Sequence, residues 1–243
     1  MKEKITRPPG VLVLAFLAIE AILYTIFVLS DIRLNLYPYA EYLKYASIII
    51  CACFEWLVFG VIKTKDSLII AIALTFTVIA DYFLLFPGND VWIGLISFKM
   101  AHTMYLYVIS EKNIKVTLVN FLIRLLVAVG LFFLMQGTEG YDSKTLYLLS
   151  LYAVSFAMNI VYAIFRVIKN RQMTCPISYA KLMAGLLLFA MCDISVLIHN
   201  TGGPVFATDL SRTIFWLSGV LMWVFYLPSQ IIIAMSTFKL RYL

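Results

Sequence analysis

Long apolar stretches alternate with short polar segments along the whole chain of 243 residues. Each stretch is about 20 residues long, the length that an α-helix needs to cross roughly 30 Å of hydrocarbon. A transmembrane β-barrel would instead show short segments of alternating polarity, and this sequence shows no such segments. The pattern predicts an all-α polytopic membrane protein, a bundle of eight transmembrane helices in a single domain over residues 1–243. The predicted spans are 10–29, 38–62, 67–86, 90–109, 115–136, 144–168, 178–200 and 211–236.

The composition agrees with a membrane location. Hydrophobic residues make up 63% of the chain and charged residues only 13%, whereas soluble domains carry about 25% charged residues. The basic segment before the first apolar run is followed by no small-residue cleavage site, so we expect the first helix to be retained.

The basic residues are distributed unequally between the two sides of an eight-span topology. Because lysine and arginine concentrate in cytoplasmic loops, this bias predicts that both termini are cytoplasmic. The net charge of +6 fits contact with anionic lipid headgroups, and it requires no nucleic-acid partner. The expected location is a bacterial cytoplasmic membrane or one resembling the endoplasmic reticulum. The residues on the cytoplasmic side are Lys2, Lys4, Arg7, Lys63, Lys65, Lys112, Lys115, Arg166, Lys169, Arg171, Lys239 and Arg241; those on the other side are Arg33, Lys144 and Arg212.

Three charged side chains lie at a similar depth inside the predicted spans. Asp81 and Asp193 lie five to seven residues below the outer ends of the third and seventh spans, and Lys44 lies six residues below the start of the second. At 1.5 Å per residue, this depth is about 8–11 Å. Ionisable residues within a membrane are costly and usually functional. We therefore expect a polar cavity that contains both aspartates and Lys44, although Lys44 has the alternative of snorkelling to the interface.

Histidine is too scarce for a histidine-rich metal centre. The chain contains only His102 and His199, whereas a catalytic zinc site needs about three protein ligands and a water molecule. His102 stands in the middle of a span, with Tyr105 on the same helix face. We predict no metal and no diffusible cofactor.

The sequence resembles the YhhN-like lysoplasmalogenase family in three segments and in its eight-span layout. The first is "ADYFLLFPGNDVWIGLISFKMAHTMY" (80–105), in which Asp81, Gly94, Phe98, His102 and Tyr105 match the family signature in order. The second is "LLLFAMCDISVLIHN" (186–200), which carries Asp193. The third is "YLPSQIIIAMS" (226–236), which carries Tyr226 and Gln230, and Lys44 matches a lysine typical of the second span. Ala80 stands where the family usually has glycine, and Cys192 where it usually has serine.

The resemblance implies hydrolysis of the vinyl ether bond of a lysoplasmalogen, which releases a fatty aldehyde and a glycerophospho-headgroup. Cleavage of a vinyl ether requires a proton donor and a group that stabilises an oxocarbenium ion, and paired carboxyls divide these tasks in glycosidases. We expect Asp81 and Asp193 to be the catalytic pair. The expected binding or orienting residues are Lys44, His102, Tyr105, Tyr226 and Gln230, and the expected partners are the lysolipid substrate and the surrounding membrane lipids.

Two other functions remain open at this point. One is a proton- or ion-coupled transporter or a lipid-binding membrane protein, because intramembrane aspartates also relay protons and ions. Asp81 and Asp193 lie four spans apart in helices of the same direction, which suggests a parallel duplication of four helices, as some transporters show. The other is a metal-dependent lipid hydrolase, which predicts loss of activity with a chelator.

Overall fold

The computed structural model describes residues 8–34, 39–86, 88, 90–135, 143–169, 178–202 and 209–238. Within these ranges the chain forms eight α-helices and no strand. A π-helical segment, Ser30–Leu34, continues the first helix, and a 3-10 turn, Met235–Thr237, ends the last. The helices are α1 (Gly10–Leu29), α2 (Tyr39–Ile62), α3 (Lys65–Leu85), α4 (Val91–Ile109), α5 (Ile114–Met135), α6 (Ser143–Lys169), α7 (Tyr179–Gly202) and α8 (Asp209–Ala234).

Seven of the described helices are long and apolar enough to cross a membrane, and α4 is not among them. The predicted all-helical, multi-pass membrane fold is therefore confirmed, with seven candidate spans where the hydropathy pattern predicted eight. Lys99 and His102 near the middle of α4 lower its hydropathy. Both side chains are buried, because α4 packs between α3 and α6 in the bundle.

Six helices form a closed ring in the order α2, α3, α4, α6, α7, α8, and α8 packs back on α2. The two remaining helices lie outside the ring: α1 packs on α2 and α8, and α5 packs on α6 and α4. The packing of α1–α4 is thus repeated by α5–α8, with each half of the chain supplying one outer helix and three ring helices. The repeat of four helices matches the positions of the two aspartates, because Asp81 on α3 and Asp193 on α7 lie four helices apart in the chain.

A buried glutamate joins three helices at one end of the ring. The Ser67 hydroxyl donates a hydrogen bond of 2.7 Å to Oε1 of Glu55, and the Thr237 hydroxyl donates one of 3.2 Å to Oε2. Thr64 caps the start of α3 by accepting the Ser67 backbone N–H. Because Asp81 follows Ser67 by about 21 Å along α3, Glu55 belongs to the opposite end of the bundle and fastens α2, α3 and the end of α8 together.

The contact between α7 and α8 depends on a glycine. An ideal Cβ at Gly185 would lie 2.5 Å from Cγ1 of Ile233 and 3.1 Å from the carbonyl oxygen of Ser229. Small residues at such crossings let transmembrane helices approach closely, which improves their packing.

Gly185→Ala is expected to destabilise the protein by about 1–3 kcal/mol, the usual range for overpacking a well-packed interior. Thermal unfolding in detergent, followed by intrinsic tryptophan fluorescence, measures the change. Gly60→Ala in α2 is the matched control, because a Cβ there meets nothing within 4 Å. An unchanged melting temperature for Gly185→Ala would show that the two helices are not packed as closely as described.

Candidate active site

A cavity of about 360 Å³ lies inside the ring, between α3, α4, α6, α7 and α8. Its walls are mostly apolar, and its volume falls within the range of small-molecule sites. It extends toward the end of the bundle where α3 and α7 finish and α4 and α6 begin. The residues that line it are Asp81, Leu84, Leu85, Val91, Leu95, Phe98, Leu149, Tyr152, Phe189, Cys192, Asp193, Val196, Met222, Trp223 and Tyr226.

The lining residues follow the helical repeat. Four residues of α7 line the cavity: Phe189, Cys192, Asp193 and Val196. Successive positions three or four residues apart lie on the same face of a helix, so these four side chains share one face of α7. Phe189 packs edge-on against the Tyr226 ring of α8, with 5.3 Å between ring centroids. Each helix thus turns a single stripe toward the cavity and leaves its opposite face for neighbouring helices or lipid.

Asp81 is buried in the cavity wall, with 4% of its surface exposed. The hydroxyl of Tyr226 lies 2.8 Å from Oδ1 and 2.7 Å from Oδ2 of this carboxyl. Its position between the two oxygens makes it a bifurcated donor to this carboxyl group. Tyr226 therefore fixes the orientation of Asp81 from across the ring.

Asp193 is held by a different tyrosine. The Tyr152 hydroxyl of α6 donates to Oδ2 at 2.7 Å. Among the described residues Tyr152 is the one side chain that donates to Asp193, and the carboxyl is partly exposed to the cavity. Two carboxyls, each oriented by one phenol, thus share an otherwise apolar cavity.

Lys44 does not line this cavity. Its ammonium pairs with Asp31 at 3.0 Å and with Glu41 at 3.2 Å, and it lies 5.2 Å from the centroid of the Trp223 ring. Since Trp223 is itself part of the cavity wall, the lysine is placed behind that wall. Its charge is compensated there by two carboxylates near the start of α2.

His102, Tyr105 and Gln230 are also buried outside the cavity lining. The His102 ring packs against Tyr105, Tyr152 and Phe189, with centroids 5.2–5.7 Å apart. It therefore supports the back of Tyr152, the phenol that holds Asp193. Gln230 lies one turn beyond Tyr226 and donates to the Ser229 hydroxyl at 3.1 Å. Of the seven residues expected at the site, Asp81, Asp193 and Tyr226 are the ones that line the cavity.

A buried basic cluster lies behind Tyr152. The Lys99 ammonium donates to the Ser155 hydroxyl, and Arg124 donates to the Ser155 carbonyl at 3.2 Å and to the Asn159 side-chain oxygen at 2.8 Å. The amide of Asn159 donates to the His102 carbonyl at 2.8 Å. These bonds tie α4, α5 and α6 together just below Tyr152 on its own helix, so they help to fix its position.

Tyr152 is the site residue that the sequence analysis does not identify. A tyrosine in an apolar helix is usually part of an interfacial belt or of the packing, and no motif distinguishes this one. Its depth was the available signal, because it lies eight residues into its predicted span, close to the level of the two aspartates.

In the part of the chain that the structure describes, no three His, Cys, Asp or Glu side chains are grouped closely enough to hold a metal ion. The polar groups that face the cavity are two carboxyls and two phenols, together with the Cys192 thiol and the Trp223 indole. This set suits proton transfer and stabilisation of positive charge.

The fold and the cavity define a class: a polytopic helical membrane protein with a pair of tyrosine-bound aspartates inside the bundle. Within that class, the chain belongs to the YhhN family, whose model matches residues 39–237. The matched region begins at α2 and contains all five helices that form the cavity. No curated protein and no solved structure matches the chain.

Proposed function

We propose that this protein is an integral membrane hydrolase that cleaves the vinyl ether bond of lysoplasmalogens, releasing a fatty aldehyde and a glycerophospho-headgroup. The observation that carries the proposal is the pair Asp81 and Asp193 in one apolar cavity. Membership of the YhhN family is compatible with this activity. The orientation with both termini in the cytoplasm, expected from the distribution of basic residues, is part of the proposal.

The reaction needs one proton donor and one anionic group. Protonation of the β carbon of the vinyl ether produces an oxocarbenium ion at the α carbon. Water then adds to that carbon and loses a proton, and the hemiacetal collapses to aldehyde and alcohol. Paired carboxyls stabilise and hydrate a similar cation in glycoside hydrolysis. The net reaction consumes one water molecule and returns the catalytic proton to the enzyme.

The hydrogen bonds suggest which aspartate has which task. Both oxygens of Asp81 face one phenol donor, the arrangement that suits an ionised carboxylate because it accepts on either oxygen. Asp193 has only one oxygen bound to Tyr152, so its other oxygen is available to carry a proton toward the cavity. We assign Asp193 as the acid that protonates the β carbon and Asp81 as the carboxylate that stabilises the cation and activates water.

The cavity also suits one end of an amphiphile. Its apolar walls favour a hydrocarbon chain, and its volume of about 360 Å³ is within the usual range for ligand sites. The reacting vinyl ether lies at the junction of chain and headgroup in a lysoplasmalogen. The chain would therefore extend among the apolar helices while the headgroup remains near the membrane surface.

Purified protein in detergent should release aldehyde from a lysoplasmalogen, and EDTA should leave the rate unchanged because the proposed steps use only side chains and water. Aldehyde is measured by a coupled dehydrogenase that reduces a nicotinamide cofactor. A saturated 1-alkyl lysolipid is the control substrate, because it lacks the double bond that must be protonated. Activity abolished by EDTA would favour a metal-dependent lipid hydrolase.

A second candidate, a proton- or ion-coupled transporter, is favoured by the repeated packing of α1–α4 and α5–α8. Transporters are often built from two such halves, with polar sites between them. Folded protein that releases no aldehyde but produces a substrate-dependent proton flux in liposomes would support this candidate.

A further inference from the structure

Two cationic side chains are buried near the middle of the bundle without a carboxylate partner. Lys99 lies eight residues into α4 and Arg124 ten residues into α5, about 12 and 15 Å from the ends at which these helices begin. The exposed fraction is 7% for Lys99 and 0% for Arg124, so neither side chain relieves its charge by snorkelling to a membrane surface. The ion pairs formed among the described residues include neither of them.

The hydrogen bonds of Arg124 leave one edge of its guanidinium group without a partner. Nη1 donates to the Ser155 carbonyl at 3.2 Å and to the Asn159 side-chain oxygen at 2.8 Å. Nε and Nη2 are both buried, and they donate to no group in the part of the chain that the structure describes. Their N–H bonds lie side by side along one edge of the planar group, which is the edge that binds an anion through two parallel hydrogen bonds.

Lys99 places a second positive charge next to Arg124. Both side chains bind the same residue, because the Lys99 ammonium donates to the Ser155 hydroxyl and Arg124 to the Ser155 carbonyl. The ammonium also lies 4.8 Å from the centroid of the Phe121 ring. A hydroxyl and a ring face offset a buried cation only in part. Two like charges that share one residue also repel each other strongly in a low-dielectric interior.

We propose that Lys99 and Arg124 form the binding site of a buried monovalent anion, chloride, between α4, α5 and α6. The anion accepts hydrogen bonds from Nε–H and Nη2–H of Arg124, and its charge offsets that of the two cations. A guanidinium keeps its proton at neutral pH, so the charge of Arg124 is balanced by an anion and is not removed by deprotonation. Burial of this charge without a counter-ion would be costly.

The surroundings of the site favour a small inorganic anion. Both cationic side chains lie outside the lining of the cavity, and both are shielded from the lipid face of the bundle. A lipid phosphate or a fatty-acid carboxylate would have to bring its chain into the middle of the helix packing, whereas chloride requires only small shifts of the neighbouring side chains. A single negative charge is also less costly to dehydrate than the two charges of sulfate.

A bound chloride would join the outer helix α5 to the ring behind the cavity wall. Ser155 and Asn159 lie about one and two helical turns beyond Tyr152 on α6, so the site adjoins the phenol that holds Asp193. The inference does not depend on the proposed reaction. An anion that binds the folded protein stabilises it by mass action whatever the cavity does.

Equilibrium binding of radioactive chloride to the purified protein in detergent tests the site directly, and we expect one chloride per protein molecule. Thermal unfolding gives a second measurement, at constant ionic strength maintained with gluconate. The melting temperature should rise with chloride and then saturate, with a gain of about 3–6 °C at ten times Kd. Bromide and nitrate should replace chloride, whereas sulfate should not.

Two variants assign the bound chloride to this cluster. Arg124→Lys keeps the charge but removes the paired N–H groups, so we expect Kd for chloride to rise at least tenfold, about the effect of losing one hydrogen bond to a charged group. Lys99→Met removes the second cation and should raise Kd by a similar factor. Arg166→Lys and Lys181→Met are the matched controls with unchanged Kd, because Arg166 pairs with a carboxylate and Lys181 with two backbone carbonyls.

Wild-type protein that binds no chloride, or that is stabilised equally by every anion, would overturn the proposal, and this result does not depend on whether the variants fold. Unchanged chloride binding in folded Arg124→Lys and Lys99→Met would place the ion elsewhere and would also overturn it. A single anionic lipid that is retained by purified wild type and lost from Arg124→Lys would contradict the assignment to chloride, because the lipid would then be the counter-ion.

Discussion

Asp81→Asn and Asp193→Asn are each expected to lower kcat for lysoplasmalogen hydrolysis by about 10³-fold, within the range that general acid–base groups contribute. Asparagine has nearly the same shape as aspartate, but it neither donates the catalytic proton nor carries the negative charge that stabilises the oxocarbenium ion. Because the two carboxyls act in one step, the double variant should be little slower than the slower single variant. Aldehyde release under saturating substrate measures all three.

Glu20→Gln is the matched control for these variants. Glu20 is a buried carboxyl in α1, outside the ring, and it accepts a hydrogen bond of 3.6 Å from the Cys51 thiol. This variant removes an intramembrane carboxyl without touching the cavity, so its kcat should stay close to that of wild type. If either aspartate variant keeps wild-type kcat while remaining folded, the two-carboxyl mechanism is rejected.

Tyr226→Phe and Tyr152→Phe are expected to reduce kcat by about 10- to 100-fold, the effect of removing a hydrogen bond to a charged group of about 1.5–3 kcal/mol. Tyr226→Phe removes the donor to Asp81, and Tyr152→Phe removes the donor to Asp193. Each carboxyl would then lose its fixed orientation while the cavity keeps its shape. KM should change less than kcat, because neither hydroxyl is proposed to bind the headgroup.

The control for the tyrosine variants is Tyr24→Phe. Its hydroxyl donates to the Val224 carbonyl at 3.2 Å, so it also loses a hydrogen bond to α8, but it does not line the cavity. Steady-state kinetics on all three variants, with melting temperatures measured in parallel, separate a positioning effect from a loss of stability. A kcat drop of the same size in Tyr24→Phe would indicate that general loosening of α8, and not the orientation of Asp81, limits the rate.

The helices could be predicted from the sequence because hydrocarbon thickness imposes a length on each apolar run. α4 is the exception in hydropathy, since its Lys99 and His102 lower the apolar signal of a helix that is nevertheless packed in the ring. The depth of a residue within its helix could also be predicted, because an α-helix rises 1.5 Å per residue. Asp81 and Asp193 were matched by depth alone, and both line one cavity.

The direction in which a side chain points around its helix axis could not be predicted in the same way. Lys44 has a depth similar to that of the two aspartates, yet the packing of α2 and α8 places it on the far side of Trp223. Its partners are Asp31 and Glu41. Both lie in the polar segments at helix ends, where a charged residue is common and gives no signal of a buried ion pair. The role of Tyr152 is likewise set by which helices become neighbours, since its partner lies on α7 and its support on α4.

The two halves of the bundle each supply one carboxyl of the pair, but they contribute unequally to the phenols that hold it. The first four helices supply Asp81 alone, whereas the last four supply Asp193 together with both phenols. During synthesis, a chain that has inserted α1 to α4 into the bilayer holds one aspartate without its tyrosine, and the closed cavity does not yet exist. An enzyme that attacks lipids would be harmful if its partly inserted forms were active in the membrane that surrounds them. Here α8, the last of the described helices along the chain, brings Tyr226 to Asp81, so the proposed catalytic centre is complete only once α8 has been inserted.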